Sequence, residues 1–251
     1  LPLTRTVSSM HAAWYTKNGE PREVLVVGDV PTPSPAAGEV RVKLATSGIN
    51  PVDMKMRRSR PLAGERVVPH HDGAGSIDAV GAGVSPDRVG ERVWVWNGQF
   101  QRPMGTAAEY IALPSDQAVT LPSTVDFATG ACLGIPAMTG FQAVRLAGDV
   151  AGKTVLVIGA SSAVGYCAAQ VAAARGARVI GTVGSVDKAA HARSAGVEAT
   201  IDYKTESVAD RVNVDFDLYR IRTQISEQGG AIEAGTIVPK VDRRTRKERL
   251  E

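Results

Sequence analysis

Seven small residues, Gly159-Ala160-Ser161-Ser162-Ala163-Val164-Gly165, follow the apolar run Val155-Leu156-Val157-Ile158 and precede an alanine-rich stretch. Small side chains at such a turn let backbone amides approach a pyrophosphate, and the positive end of a following helix offsets its charge. The spacing is G-x-x-S-x-x-G rather than G-x-G-x-x-G, so the letters carry little alone. The apolar run before them, the helix signal after them and the closing Gly176-Ala177 make the setting that of a dinucleotide-binding turn. Its candidate contacts are Ser161, Ser162, Ala163, Val164 and Gly165. The plainer alternative is a tight strand-to-helix turn in a protein that binds no nucleotide.

A second group stands at the end of the next apolar run, in Thr182-Val183-Gly184-Ser185-Val186-Asp187-Lys188. Folds that prefer NAD place an acid at this strand tip to bond the ribose hydroxyls, and here there is none. The hydroxyl of Ser185, the cation of Lys188 and Tyr203 at the end of the third run suit a 2′-phosphate, because a lysine offers it a compact positive charge. The cofactor predicted is NADPH. Asp187 pulls the other way, and a solvated Asp187/Lys188 pair at a helix start is the alternative for both residues.

The elements that must position these groups change character along the chain. Residues 12–121 are short β-branched runs punctuated by Pro and Gly, the pattern of a barrel or sandwich, with one helix at residues 52–58. After residue 125 the pattern predicts a helix over 128–146, a strand over 154–158, a helix over 163–175, a strand over 177–183, a helix over 188–195 and a third strand over 199–203. An unbroken apolar run such as Val155–Ile158, followed by a Gly/Ser turn and a helix, signals a parallel strand buried on both faces. The fold class is therefore α/β. A doubly wound nucleotide fold uses two such halves, and only about one is legible before the pattern falters past residue 212.

Composition narrows the rest. With 251 residues, 43% hydrophobic and 22% charged, the chain can build a real core, and 5% aromatics suits an Ala/Val/Gly-rich α/β protein. No run of 18 apolar residues occurs, which excludes a transmembrane helix. Cys132 and Cys167 lie in apolar surroundings with no CxxC, which predicts buried thiols in a reducing compartment and hence a cytoplasmic location. Residues 1–9 lack the apolar core of a secretory signal. The net charge of +3 resides in residues 239–251, where six basic residues face three acidic ones. Such an end reads as solvated and makes nucleic-acid binding unlikely on charge alone, since no aromatics are interleaved for stacking.

Six ordered blocks carry a family likeness: Gly48-Ile49-Asn50-Pro51-Val52-Asp53, Pro69-His70-His71-Asp72-Gly73-Ala74-Gly75, Gly90-Glu91-Arg92-Val93, Gly105-Thr106-Ala107-Ala108-Glu109-Tyr110, Met138-Thr139-Gly140, and the Gly/Ser turn with its helix. In these the chain resembles the medium-chain dehydrogenase/reductase superfamily, in its zinc-independent quinone oxidoreductase (zeta-crystallin-like) branch. The resemblance implies a GroES-like β-barrel catalytic domain at 10–127, a Rossmann-like doubly wound parallel-sheet domain at 128–225, incomplete here, and a return to the barrel at 226–251 that starts around 230–244. It also implies an active site in the cleft between the domains, and a homodimer.

Catalytic zinc in the related alcohol dehydrogenases needs a Cys and His set with an open position. Asn50 and Asp53 stand where the first thiolate is expected, Ile135 stands in place of a later Cys, and His71 with Asp72 is poor ligation, so no metal is expected. Without a Lewis acid, hydride transfer from reduced nicotinamide needs an electron-poor acceptor, a quinone or an α,β-unsaturated carbonyl. The resemblance places Asn50 near the nicotinamide ribose and substrate oxygen and Thr139 at the cofactor. Lys55 occupies the position of a tyrosine found in many members of the branch; it either polarises a carbonyl, as in enone and alkenal reductases, or faces solvent on a helix. NADPH-dependent quinone reduction is the leading expectation, with enone or alkenal reduction and a non-catalytic NADPH-binding sensor or structural protein as alternatives.

Overall fold

The computed structural model describes residues 9–211, 240–241 and 248–249. β1 (Ser9–Trp14) and β2 (Val26–Pro31) form an antiparallel pair, joined through the short helix α1 (Pro21–Val24). The β-branched run at 24–27 thus divides: Pro21 opens a helical turn that ends on Val24, and only the residues beyond it extend.

The main sheet has the order β6-β3-β4-β5-β7 and is antiparallel throughout. Its strands are β3 (Glu39–Gly48), β4 (Asp72–Val80), β5 (Arg92–Val95), β6 (Tyr110–Pro114) and β7 (Ala118–Thr120). Alternate residues turn inward, so Val40, Val42, Ile77, Val93, Val95, Ile111 and Leu113 make one core. Single bridges from Ala12 to Ala108 and from Tyr15 to Val67 tie β1 and the residue after it to the segments that lead into β6 and β4. Between β3 and β4, α2 (Pro51–Ser59) starts with Pro51 in its first turn after the N-cap Asn50.

The helix expected over 128–146 is broken in two. α3 (Phe127–Gly130) and α4 (Met138–Leu146) are separated by a widened turn over Leu133–Ala137, in which Gly134 has φ −66° and ψ −109° and Pro136 supplies no N–H. Apolar periodicity continues across the break, which is why the sequence reads as one helix.

Beyond it lie β8 (Thr154–Val157), α5 (Ala163–Ala174), β9 (Arg178–Val183), α6 (Val186–Ser194), β10 (Val197–Asp202) and α7 (Val208–Arg211). The three strands are parallel in the order β10-β9-β8, each of the first two followed by a helix. Alanine supplies much of the packing: Ala168, Ala169 and Ala172 of α5 and Ala189 and Ala192 of α6 meet Val157, Val179, Val183 and Val197. The expectation of a first strand buried on both faces fails at its margin. Ile158 falls outside β8 and is 68% exposed, and Val155 and Leu156 are half-buried. Such a strand is enclosed only where both faces of its sheet are covered, and among the described residues β8 is an edge strand with β9 as its one neighbour.

The later nucleotide-domain elements, and the expected return around 230–244 apart from residues 240–241, lie outside the described residues. In a second unit, Leu218–Glu251, β11 (Lys240–Val241) pairs antiparallel with β12 (Glu248–Arg249). Among the described residues no helix is long and apolar enough to cross a membrane.

Candidate functional site

The glycine-rich turn leaves β8 through Gly159, whose φ of +70° suits a residue without Cβ. Thr182 of β9 holds this bend from two atoms: its hydroxyl accepts the Gly159 N–H at 2.8 Å and its carbonyl accepts the Ala160 N–H at 3.0 Å. Ser162 then caps α5, its hydroxyl accepting the Gly165 N–H at 3.1 Å. A Cβ on Gly165 would lie 2.2 Å from the Gly159 carbonyl oxygen, so the helix starts against its own turn only with glycine there. The amides of Ala163 and Val164, in the first turn of α5, have no acceptor within the helix and are its open donors.

This turn forms one wall of a groove lined by Gly159, Ser161, Ser162, Thr182, Val183, Gly184, Lys188 and Tyr203. The lining includes a lysine and no carboxylate. Tyr203, 55% exposed, has its hydroxyl where a Cβ on Gly184 would come within 2.5 Å of it, so glycine is what allows the phenol to lie over the end of β9. Ser185 is placed differently from expectation. Its hydroxyl caps α6 by accepting the Lys188 N–H at 3.4 Å, and it is not part of the groove lining. Of the predicted cofactor residues, the structure therefore gathers Ser161, Ser162, Lys188 and Tyr203 about one groove and sets Ala163, Val164 and Gly165 at the helix start beside it. Thr139 is half-buried in the first turn of α4, which packs on α5 through Gly140, where a Cβ would meet the Ala168 amide nitrogen at 2.7 Å.

Asn50 lies in a second polar assembly, inside the barrel half. It is 6% exposed, and its side-chain amide donates to Asp72 Oδ2 at 2.8 Å. The same Oδ2 accepts the Ile135 N–H at 2.8 Å, while Asp72 Oδ1 is buried with no partner among the described residues. Burial pushes the Asp72 carboxyl up to about 6, outweighing the Ile135 and Asn50 donors and the nearby His71, which pull it down. The Asn50 N–H in turn donates to Asp53 Oδ2 at 2.6 Å, and Asp53 Oδ1 pairs with His71 Nδ1 at 2.9 Å, both side chains about 5% exposed or less. Thr106 donates to the Asp72 carbonyl at 2.6 Å and contacts the Ser47 hydroxyl at 2.8 Å, which reaches His70 Nδ1 at 2.9 Å.

Lys55 is not brought into this assembly. It is exposed on α2, whose buried side carries Asp53 and Arg57. Asp53 and His71 are consumed by each other, and among the described residues no three His, Cys, Asp or Glu side chains gather as metal ligands. Sequence reasoning missed Thr182 and the position of Asp72. A lone hydroxyl at a strand end and an acid among glycines give no local signal, because each finds its partners more than twenty residues away.

Two domain families match the chain: the alcohol dehydrogenase GroES-like domain over residues 36–123 and the zinc-binding dehydrogenase family over residues 163–217. The chain is 34% identical to a quinone oxidoreductase of Rattus norvegicus over 81% of its own length and 61% of the relative's. Among solved structures, a mycobacterial protein complexed with NADPH matches with a TM-score of 0.65 and 30% identity, over 78% of this chain and 59% of that one. An NAD-dependent alcohol dehydrogenase matches with a TM-score of 0.75 and 32% identity, over 81% and 66%. The chain spans about three-fifths of the length of the curated relatives it matches. With a GroES-like barrel half, a Rossmann-type parallel sheet and these relatives, it belongs to the medium-chain dehydrogenase/reductase superfamily, in the quinone oxidoreductase-like family.

Proposed function

We propose that this protein is an NADPH-dependent oxidoreductase that reduces quinones without a metal ion. The observation that carries the reading is the groove at the ends of β8 and β9, where a cradle of small residues adjoins an exposed lysine and no carboxylate. The cradle fits a pyrophosphate: Gly159 and Gly165 leave room for backbone approach, and the open amides of Ala163 and Val164 supply donors at a helix N-terminus. Lys188 and the Tyr203 hydroxyl are the groups that would hold a 2′-phosphate. Ser185 contributes through the cap that orients Lys188.

When bound, reduced nicotinamide supplies the hydride that turns a quinone, with a proton, into a hydroquinone. Asn50, held by Asp72, presents its carbonyl oxygen to the cofactor ribose or the substrate, and Thr139 lies on the helix leading from the barrel half to the nucleotide half. The donor set argues against ligation of zinc, because Asp53 and His71 are already paired and Asn50 is amide rather than thiolate. The exposed ammonium of Lys55, on the helix capped by Asn50, favours enone or alkenal reduction as a second reading, with the charge available to polarise a carbonyl. A cytoplasmic homodimer belongs to the same proposal.

The test is titration of the protein with NADPH and NADH by nicotinamide fluorescence, with turnover measured on quinones and enones in metal-free buffer. Lys188→Ala is expected to weaken NADPH about tenfold or more and leave NADH within twofold, the size of one charge-assisted contact. Equal affinity of the parent protein for both cofactors overturns the 2′-phosphate assignment.

A further inference from the structure

Asp72 is among the most completely buried polar residues described, at 0% exposure, yet among the described residues it forms no ion pair. Its Oδ2 takes two neutral donors from different parts of the chain: the Asn50 side-chain amide, at the start of α2, and the Ile135 backbone amide, in the widened turn before α4. The chain makes space for it. A Cβ on Gly134 would lie 2.1 Å from Asp72 Oδ1, and a Cβ on Gly48 3.1 Å from Asp72 Cβ, so glycines border the carboxylate on two sides. The backbone at Gly134, with ψ −109°, is bent out of helical geometry where the carboxylate enters. A buried carboxylate with one oxygen unpartnered costs stability rather than adding it, so packing alone gives no reason for an acid at this position.

The bond to Asn50 has a definite chemical consequence. A carboxylate accepts only, so it fixes which end of the carboxamide faces it: Nδ2 toward Asp72 and Oδ1 away. The neighbouring Asp53 takes the Asn50 backbone N–H, which pins the main chain of the same residue. Free rotation about the last side-chain bond would otherwise let Asn50 present a donor or an acceptor.

We propose that Asp72 is a positioning residue. It locks the Asn50 carboxamide with its oxygen turned away from the carboxylate, available as an acceptor for a hydroxyl of the cofactor ribose, and by its own Oδ2 anchors the Gly134–Ile135 bend that leads to Thr139. This rests on the nicotinamide-cofactor reading above.

The experiment compares Asp72→Ala, Asp72→Asn, Asn50→Ala and the Asp72→Ala/Asn50→Ala double variant of the full chain, measuring kcat, KM and the affinity for NADPH and for 2′,5′-ADP, which carries the adenosine half alone. Asp72→Ala is expected to lower kcat about tenfold and weaken NADPH several-fold while leaving 2′,5′-ADP within twofold. Asp72→Asn keeps an oxygen able to accept both amides and stays within about threefold of the parent. The double variant loses less than the sum of the two single losses, since the part of Asp72's effect that acts through Asn50 has nothing left to position. Additive losses in the double variant, or parental kcat and NADPH affinity in Asp72→Ala, overturn the role. Should Asp72→Ala not fold by circular dichroism, Gly134→Ala, whose methyl displaces Oδ1, is read against the same outcomes. Absence of NADPH binding to the parent protein overturns the function proposed above, a result distinct from parental behaviour in the Asp72 variants.

Discussion

Asp72 also gives the clearest residue-scale statement about pH. Its carboxyl is pushed from an ordinary value of 3.8 up to about 6 by burial, with the nearby Asp53 adding to the rise and His71 opposing it. An acid whose pKa is higher in the folded state binds its proton more tightly there than in the unfolded chain, so this group lowers stability as pH rises from about 4 through 6 and exacts its full cost above that. A rise of that size corresponds to on the order of 3 kcal/mol. Asp72→Asn, neutral at every pH, is therefore expected to raise thermal stability over the parent at pH 8, with the gain shrinking to nothing below about pH 4. Unfolding curves across that range check it, and a gain independent of pH would show that charge burial is not the cause. None of this was legible in the sequence. The blocks at 48–53 and 69–75 identified the region, but there Asp72 read only as a poor metal ligand beside His71. What decides its role is a bond to a backbone amide 63 residues further on.

At the scale of elements, the strand–turn–helix at 154–174 was readable because its signals are local: an apolar run, small residues at the bend, a serine cap and an alanine-rich helix. The helix over 128–146 was misread for a related reason, since apolar spacing persists through Gly134 and Pro136 while the structure spends those residues on a bend around a carboxylate. What the local pattern could not show is that the turn is held from outside. Thr182 arrives from β9 and binds Gly159 and Ala160 together, so the bend's shape depends on the register between β8 and β9, in which Val157 stands beside Gly181. Thr182→Val keeps the volume and removes the hydroxyl, leaving the Gly159 amide unpaired in a partly buried place. A loss of about 1–3 kcal/mol is expected for such a group, together with several-fold weaker binding of 2′,5′-ADP, and Thr182→Ser should recover both. Isothermal titration and chemical denaturation of the three proteins decide it; parental binding by Thr182→Val would mean that the turn holds its shape without the tie.

For the molecule as a whole, the two cores differ in kind and share little. The barrel half packs branched side chains, Val40, Val42, Ile77, Ile111 and Leu113, whereas the nucleotide half packs alanines and valines around a three-stranded sheet with an exposed margin at Ile158. Small side chains bury less apolar area each, so the second core has less to hold it. A ligand confined to the groove at β8 and β9 should stabilise the second half more than the first. The sequence supplies separate reporters: Trp14, Trp94 and Trp96, the three tryptophans of the chain, all belong to the barrel half, while the long helices α4, α5 and α6 dominate the far-ultraviolet circular dichroism of the other. With 2′,5′-ADP at 100 times its Kd, linkage gives about 2.7 kcal/mol, or a rise of roughly 5 °C or more in the circular dichroism transition. The tryptophan fluorescence transition should move by less than half as much. Because the Asp72–Ile135 hydrogen bond is one of the ties between the barrel and the segment entering α4, Asp72→Ala should widen the gap between the two transitions. Coincident transitions that shift together with ligand would instead show that the halves unfold as one cooperative unit, with the small alanine core stabilised by its neighbour.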